Sequence, residues 1–108
     1  MNFYIGHSIE QLNVDDKNVE LDDEMMEYLY SIKEKIPFVA FFTIDPYSDM
    51  VVEKNEISDI ISMCDYVVKE QRLNDYDESE DIILAIRELN SLCQNALKQS
   101  KKIIVIGD

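Results

Sequence analysis

Asp75-Tyr76-Asp77-Glu78-Ser79-Glu80-Asp81 is the stretch whose residue types could do chemistry. Carboxylates crowded in this way open the loops that bind calcium. With Asp75 as the first position, however, Glu80 stands where the sharp turn needs Gly, and Ile86 where the bidentate Glu belongs. The EF-hand reading fails on both. A looser divalent-cation site is left, set against the simpler reading of a solvated acidic face. The other reactive side chains are sparse. Cys64 and Cys93 are far apart in sequence and have no His neighbours, so they match no zinc spacing. His7 is the only histidine, and a His-dependent relay or triad would rest on it alone. Gly occurs only at positions 6 and 107, which leaves no phosphate loop and no Gly-x-Ser-x-Gly elbow. Among 23 acidic residues some pair always falls at general acid–base distance, so such pairs carry no signal. The expectation is a protein that is not an enzyme and uses no cofactor or metal. A small enzyme with a carboxylate or metal site is an alternative.

The acids fall into two blocks. One holds Asp15, Asp16, Glu20, Asp22, Asp23, Glu24 and Glu27; the other holds Asp75, Asp77, Glu78, Glu80 and Asp81, with Tyr76 inside it. Acids at a helix start complement the positive end of the helix dipole, each by about 0.3–1 kcal/mol. That accounts for Asp22 to Glu24 and for Glu80 and Asp81, but not for Asp15, Asp16, Asp75 and Asp77. Ten basic residues against 23 acidic ones leave a net charge of −13. Such a field repels nucleic acid and anionic membranes and attracts basic proteins. Tyr gives rigid contact area and carboxylates give charge complementarity. The expected partner-binding residues are therefore Asp75, Tyr76, Asp77 and Glu78, with Asp15, Asp16, Asp22 and Asp23 as the second segment. An acidic regulatory or adaptor module for a basic protein has the same charge pattern.

These residues need a scaffold, and 108 residues are enough for one domain, 1–108, with a core that needs no disulfide. Asn2–Gly6 reads as a short strand, with Phe3 and Ile5 on one face. Residues 9–20 read as an irregular loop. Residues 21–36 read as a helix capped by Asp22, with Leu21 and Met26 forming a hydrophobic staple and Met25, Leu29, Ile32 and Ile36 its buried stripe. Pro37 stops it. Residues 38–44, a continuous apolar run, read as a buried strand. Asp45-Pro46-Tyr47-Ser48 fits a type I turn, and Met50 to Val52 a return strand, together a central hairpin over 37–52. Asn55 is expected to cap a second helix to about Arg72, and Ser79 to open a third to about Gln99. Cys64 and Cys93 fall on their apolar stripes, so both are expected to be buried, reduced thiols. Ile103 to Ile106 reads as a last strand inside the sheet. The fold class is α+β: a mixed or antiparallel sheet of about four strands packed by three helices. The first residues lack the basic and apolar regions of a signal peptide, and no apolar run reaches membrane-spanning length.

The run Ile44-Asp45-Pro46-Tyr47-Ser48-Asp49 and the closing Ile106-Gly107-Asp108 resemble motifs of small bacterial immunity proteins from contact-dependent growth-inhibition and polymorphic toxin systems. Ser48 and Met50 stand where the family motif carries Gly and Thr. Outside these stretches the likeness is one of element order. The resemblance implies a protein that binds and neutralises a cognate toxin domain, by occluding its active site or substrate channel. Joined to the charge argument, it points to a basic nuclease as that toxin, with no binding of nucleic acid or membrane by this chain itself, and to a cytoplasmic location, where an incoming nuclease must be stopped. Asp45, Pro46, Tyr47 and Asp49 are expected to hold the turn, Asp45 by bonding the turn backbone and Tyr47 by packing over the end of the sheet.

Overall fold

Ile103, Ile104 and Val105 are fully buried, and the sheet is built around them. The computed structural model describes residues 1–107. In chain order these form strand β1 (Asn2–Gly6), strand β2 (Val19–Glu20), helix α1 (Asp23–Ser31), 3₁₀ turns at Lys33–Lys35 and Ala40–Thr43, strand β3 (Met50–Val52), helices α2 (Lys54–Lys69) and α3 (Ser79–Lys98), and strand β4 (Lys102–Ile106). The sheet has the order β2-β1-β4-β3 and every pairing is antiparallel. The chain is a single α+β domain with three α-helices.

Register separates the two faces of the sheet. Phe3 pairs with Val105 and Ile5 with Ile103, while Tyr4 pairs with Ile104. Strand alternation puts Phe3, Val105 and Ile103 on one face, in the same buried cluster as Leu29, Ile57, Ile60, Ile86 and Leu89 of the helices. Tyr4 and Ile104 face the other way, under the connection between β1 and β2. The Tyr4 hydroxyl donates to the Val14 carbonyl at 3.1 Å. A Cβ on Gly6 would meet Ile104 Cγ1 at 3.2 Å and Leu12 at 4.0 Å. That connection therefore covers the second face, which explains why β4 is apolar at every central position.

The central hairpin does not form. Residues 40–43 make a 3₁₀ turn, and β3 pairs with β4 instead. The burial pattern gives the reason. Phe41 and Ile44 are buried while Val39 is 66% exposed. In a strand Val39 and Phe41 would share a face; in a 3₁₀ turn residues three apart eclipse, so Phe41 and Ile44 do. The turn is fastened by Asp59 of α2, whose Oδ2 accepts the Ala40 N–H at 2.8 Å, and by the Thr43 hydroxyl, which donates to the Ala40 carbonyl at 2.7 Å. Phe41 packs across Phe3 and edge-on to Phe42, with ring centroids 6.3 and 5.2 Å apart. A continuous apolar run is equally compatible with a buried strand or a buried helical turn.

Other boundaries shift for local reasons. Asp22 caps α1 and accepts the Met25 N–H at 2.9 Å, and Leu21 and Met26 are both buried as a staple requires. The α-helix stops at Ser31 rather than running to Ile36, and the Lys33–Lys35 turn tightens the chain ahead of Pro37. Val19 and Glu20, expected in the loop, form the edge strand β2. Helix α2 is capped by Glu53 rather than Asn55: the Glu56 carboxylate reaches back to the Glu53 N–H at 3.3 Å, half of a capping box. It ends at Lys69 in a Schellman motif, with Arg72 N–H on the Val67 carbonyl at 2.9 Å and Gln71 at φ 56°. No helix among the described residues is long and apolar enough to cross a membrane.

Cys64 and Cys93 are buried and unbonded. Burial, and then the neighbouring Cys93, push the Cys64 thiol well above its ordinary value; burial pushes Cys93 up to about 12. The thiolate is the reactive form, so both are inert in the folded chain. Native protein at pH 8 is expected to resist a thiol reagent that labels both cysteines at once after unfolding. Rapid labelling of the native protein would contradict the packing described here.

Candidate functional site: an acidic face around Tyr76

The N-terminal ends of α1 and α3 lie side by side. Asp22, Asp23 and Glu24 from the first, and Tyr76 and Glu78 from the approach to the second, line one open surface groove of about 430 Å³. Three features bring them together. The Schellman turn at Gln71 throws the chain back from α2. Leu73, the one aliphatic residue of the Arg72–Glu78 loop, is fully buried and anchors it, and the Tyr76 N–H bonds the Leu73 carbonyl at 3.2 Å. Tyr28 of α1 then clasps the loop from the other side. Its hydroxyl donates to the Arg72 carbonyl at 2.7 Å, and its ring meets that of Tyr76 edge-on, with centroids 5.1 Å apart. The loop tip is thus positioned by packing from both ends.

The face is electrostatically crowded. Burial raises the Tyr76 hydroxyl above its ordinary pKa, and the charges of Asp22, Glu24, Glu78 and Asp77 add to the shift. Tyr28 is raised by burial and then by Asp75. Glu78 is raised chiefly by a hydrogen bond and charge from Asp81, with further repulsion from Glu24 and Asp22. Acids placed only to complement a helix dipole would be held below the ordinary range. Glu78 moves the opposite way, chiefly through its hydrogen bond with Asp81.

The sign for stability follows. Glu78 binds its proton more tightly in the folded chain, so the stability this contributes is present below the unfolded pKa and lost as pH rises through the raised folded value. At neutral pH its charge works against folding. Glu78→Gln is expected to raise the thermal midpoint at pH 7, with a gain that shrinks as the pH falls through the carboxylate range. A midpoint at pH 7 equal to or below that of the unsubstituted chain would contradict the repulsion.

Of the partner-binding residues expected from sequence, Asp22, Asp23, Tyr76 and Glu78 share this groove, and Asp75 and Asp77 are exposed on the same loop. Tyr76 is half-buried against Tyr28, not fully presented to solvent. Asp15 and Asp16 are exposed but are not part of the groove. Asp16 lines a separate groove of about 660 Å³ beside Lys17, Asn18 and Arg87. Glu24, Tyr28 and Leu73 were not foreseen as site residues. A lone Leu in an otherwise polar loop was the available signal for the anchor. Among the described residues no group of three or more His, Cys, Asp or Glu side chains is arranged to hold a metal ion.

The two stretches that carry the family resemblance touch each other. Asp45 holds the turn, accepting the Tyr47 N–H at 2.9 Å and the Ser48 hydroxyl at 3.1 Å through its carboxylate, and the Ser48 N–H at 3.2 Å through its carbonyl. Asp49 Oδ1 accepts the Gly107 N–H at 3.0 Å. A Cβ on Gly107 would lie 2.7 Å from Ser48 N and O and 2.8 Å from the Pro46 carbonyl, so only Gly fits this approach. Tyr47 does not pack over the sheet end; it is 80% exposed. Asp108 lies outside the described residues. No protein-family model matches the chain, and neither a curated protein nor a solved structure matches it.

Proposed function

We propose that this chain is an immunity protein that binds a basic toxin domain, a nuclease, in the cytoplasm and blocks its active site or substrate channel. The observation that carries the reading is the convergence of the α1 and α3 acidic segments, far apart in sequence, on one face with a packed aromatic centre. The crowding of Asp22, Asp23, Glu24 and Glu78 around one groove supports it, since like charges gathered on one face are better accounted for by a partner than by folding. The resemblance of Ile44–Asp49 and the closing residues supplies the role class. The carboxylates stand in for nucleic-acid phosphates on the nuclease surface and speed encounter, which steering can raise to roughly 10⁸–10⁹ M⁻¹s⁻¹ at low salt. A domain of this size has room for one interface of about 1,600 Å². The reading needs no cofactor and no catalytic residue in this chain.

The test is co-expression with the C-terminal domain encoded immediately upstream of this chain's gene. The reading expects that domain to arrest growth alone, and growth to be restored by this chain through a complex that survives gel filtration. An upstream domain that is harmless, or whose toxicity this chain leaves untouched, would count against it.

A further inference from the structure

The ladder between β1 and β2 stops one bonded pair short of the end of β1. Met1 and Leu21 exchange both backbone bonds, at 3.1 and 2.9 Å, and the register runs on through Asn2 opposite Glu20 and Phe3 opposite Val19. Bonded pairs alternate along an antiparallel ladder, so Met1, Phe3 and Ile5 turn their N–H and C=O toward the β2 side. Lys17 would stand opposite Ile5, but β2 begins only at Val19. The chain ahead of β2 is held in its own turn: the Asn18 side chain donates to the Asp16 carbonyl at 3.0 Å and accepts from Asn2 at 2.8 Å. Among the described residues none bonds the Ile5 N–H or C=O on that side.

This open edge lies in the groove of about 660 Å³ between β1, β2 and α3. In a chain with a net charge of −13 the groove gathers three cations, Lys17, Arg87 and Lys101, against two carboxylates, Asp16 and Glu88. Among the described residues none of the three cations is held in an ion pair or a side-chain hydrogen bond. Val19 and Leu92, both buried, supply an apolar floor. A free backbone donor and acceptor on a sheet edge is what an extended peptide pairs with. Cations beside that edge select carboxylate side chains, and a guanidinium bonds them best. At about 0.15 M salt, charges beyond about 8 Å are screened, so the local excess of cations acts on a bound segment and the distant acids do not.

We infer that this groove docks an extended acidic peptide segment, one residue of which completes the ladder on Ile5 while its carboxylates meet Arg87, Lys17 and Lys101. The groove shares no residue with the acidic one around Tyr76, so the inference stands apart from the reading of that face. Its test is titration of the ¹⁵N-labelled chain, at about 0.15 M salt, with a capped pentapeptide of alternating glutamate and valine. The comparison probes are the same peptide with lysine for glutamate, the glutamate peptide N-methylated at every residue, and glutarate. Saturable shifts at the Ile5, Lys17 and Lys101 amides are expected from the first probe alone. Hydrogen exchange at the Ile5 amide should slow at least about tenfold at saturation, because that N–H gains a partner. Arg87→Gln, a change at an exposed residue, should weaken binding several-fold and leave the thermal midpoint unchanged. An equal response to the lysine peptide, or binding untouched by Arg87→Gln, would overturn the assignment. An equal response to the N-methylated peptide or to glutarate would overturn it too, by showing attraction to charge without strand pairing. So would Ile5 exchange that slows on raising the protein concentration alone, which would put a second copy of the chain in the groove.

Discussion

Phe41→Ala is expected to destabilise the fold by about 3–5 kcal/mol, the usual cost of truncating a buried Phe. Val39→Ala, two residues away, is expected to stay within about 0.5 kcal/mol. The contrast comes from the 3₁₀ turn. Phe41 is fully buried between the sheet and the rest of the core, whereas Val39 is 66% exposed. Strand geometry over the same residues would put both side chains on one face and give them comparable losses. Chemical denaturation of the two variants decides the matter. On this scale Phe41→Ala also lowers the thermal midpoint by roughly 15 °C or more.

Gly107→Ala is the second large effect, about 2–3 kcal/mol, from overpacking two backbone segments against each other. The new Cβ would sit 2.7 Å from Ser48 N and O. Neither backbone can rotate away as a side chain would, so relief requires the end of the chain to lift off the turn. That in turn breaks the Gly107 N–H bond to Asp49. Asp49→Ala removes only this bond and should cost about 1 kcal/mol. If denaturation shows Gly107→Ala to be no costlier than Asp49→Ala, the chain end does not seat against the turn as described.

Periodicity made the helices legible. Ile82, Ile86, Leu89, Cys93 and Ala96 lie on one face at helical spacing, and all are buried, as are Ile57, Ile60, Cys64 and Val67 on α2. The cap at Asp22 was legible because its side chain acts on residues three positions away. What sequence could not separate was strand from 3₁₀ turn over residues 38–44, since a run apolar at every position carries no period. The deciding partner, Asp59, comes from α2 and is invisible locally. The same holds for the site. Each acidic block was visible, but their convergence depends on the Tyr28 clasp and the buried Leu73, both long-range. Asp15 and Asp16 were grouped with Asp22 and Asp23 as one expected contact segment. They separate because β2 and the Asp22 cap turn the chain between them.

The central claim is that the merged acidic face is the surface that meets a basic partner. Its most direct measurement is the association rate of the toxin domain with the Asp22→Asn/Asp75→Asn/Asp77→Asn/Glu78→Gln variant and with the unsubstituted chain, across ionic strength. The substituted groups are exposed, so the fold should persist, which circular dichroism checks alongside. The account predicts association slowed at least about tenfold at low salt, with the gap closing above 0.1 M, where exposed charges are screened over about 10 Å. Equal association rates for the two proteins at low salt would contradict it and leave the acidic face a solvated surface.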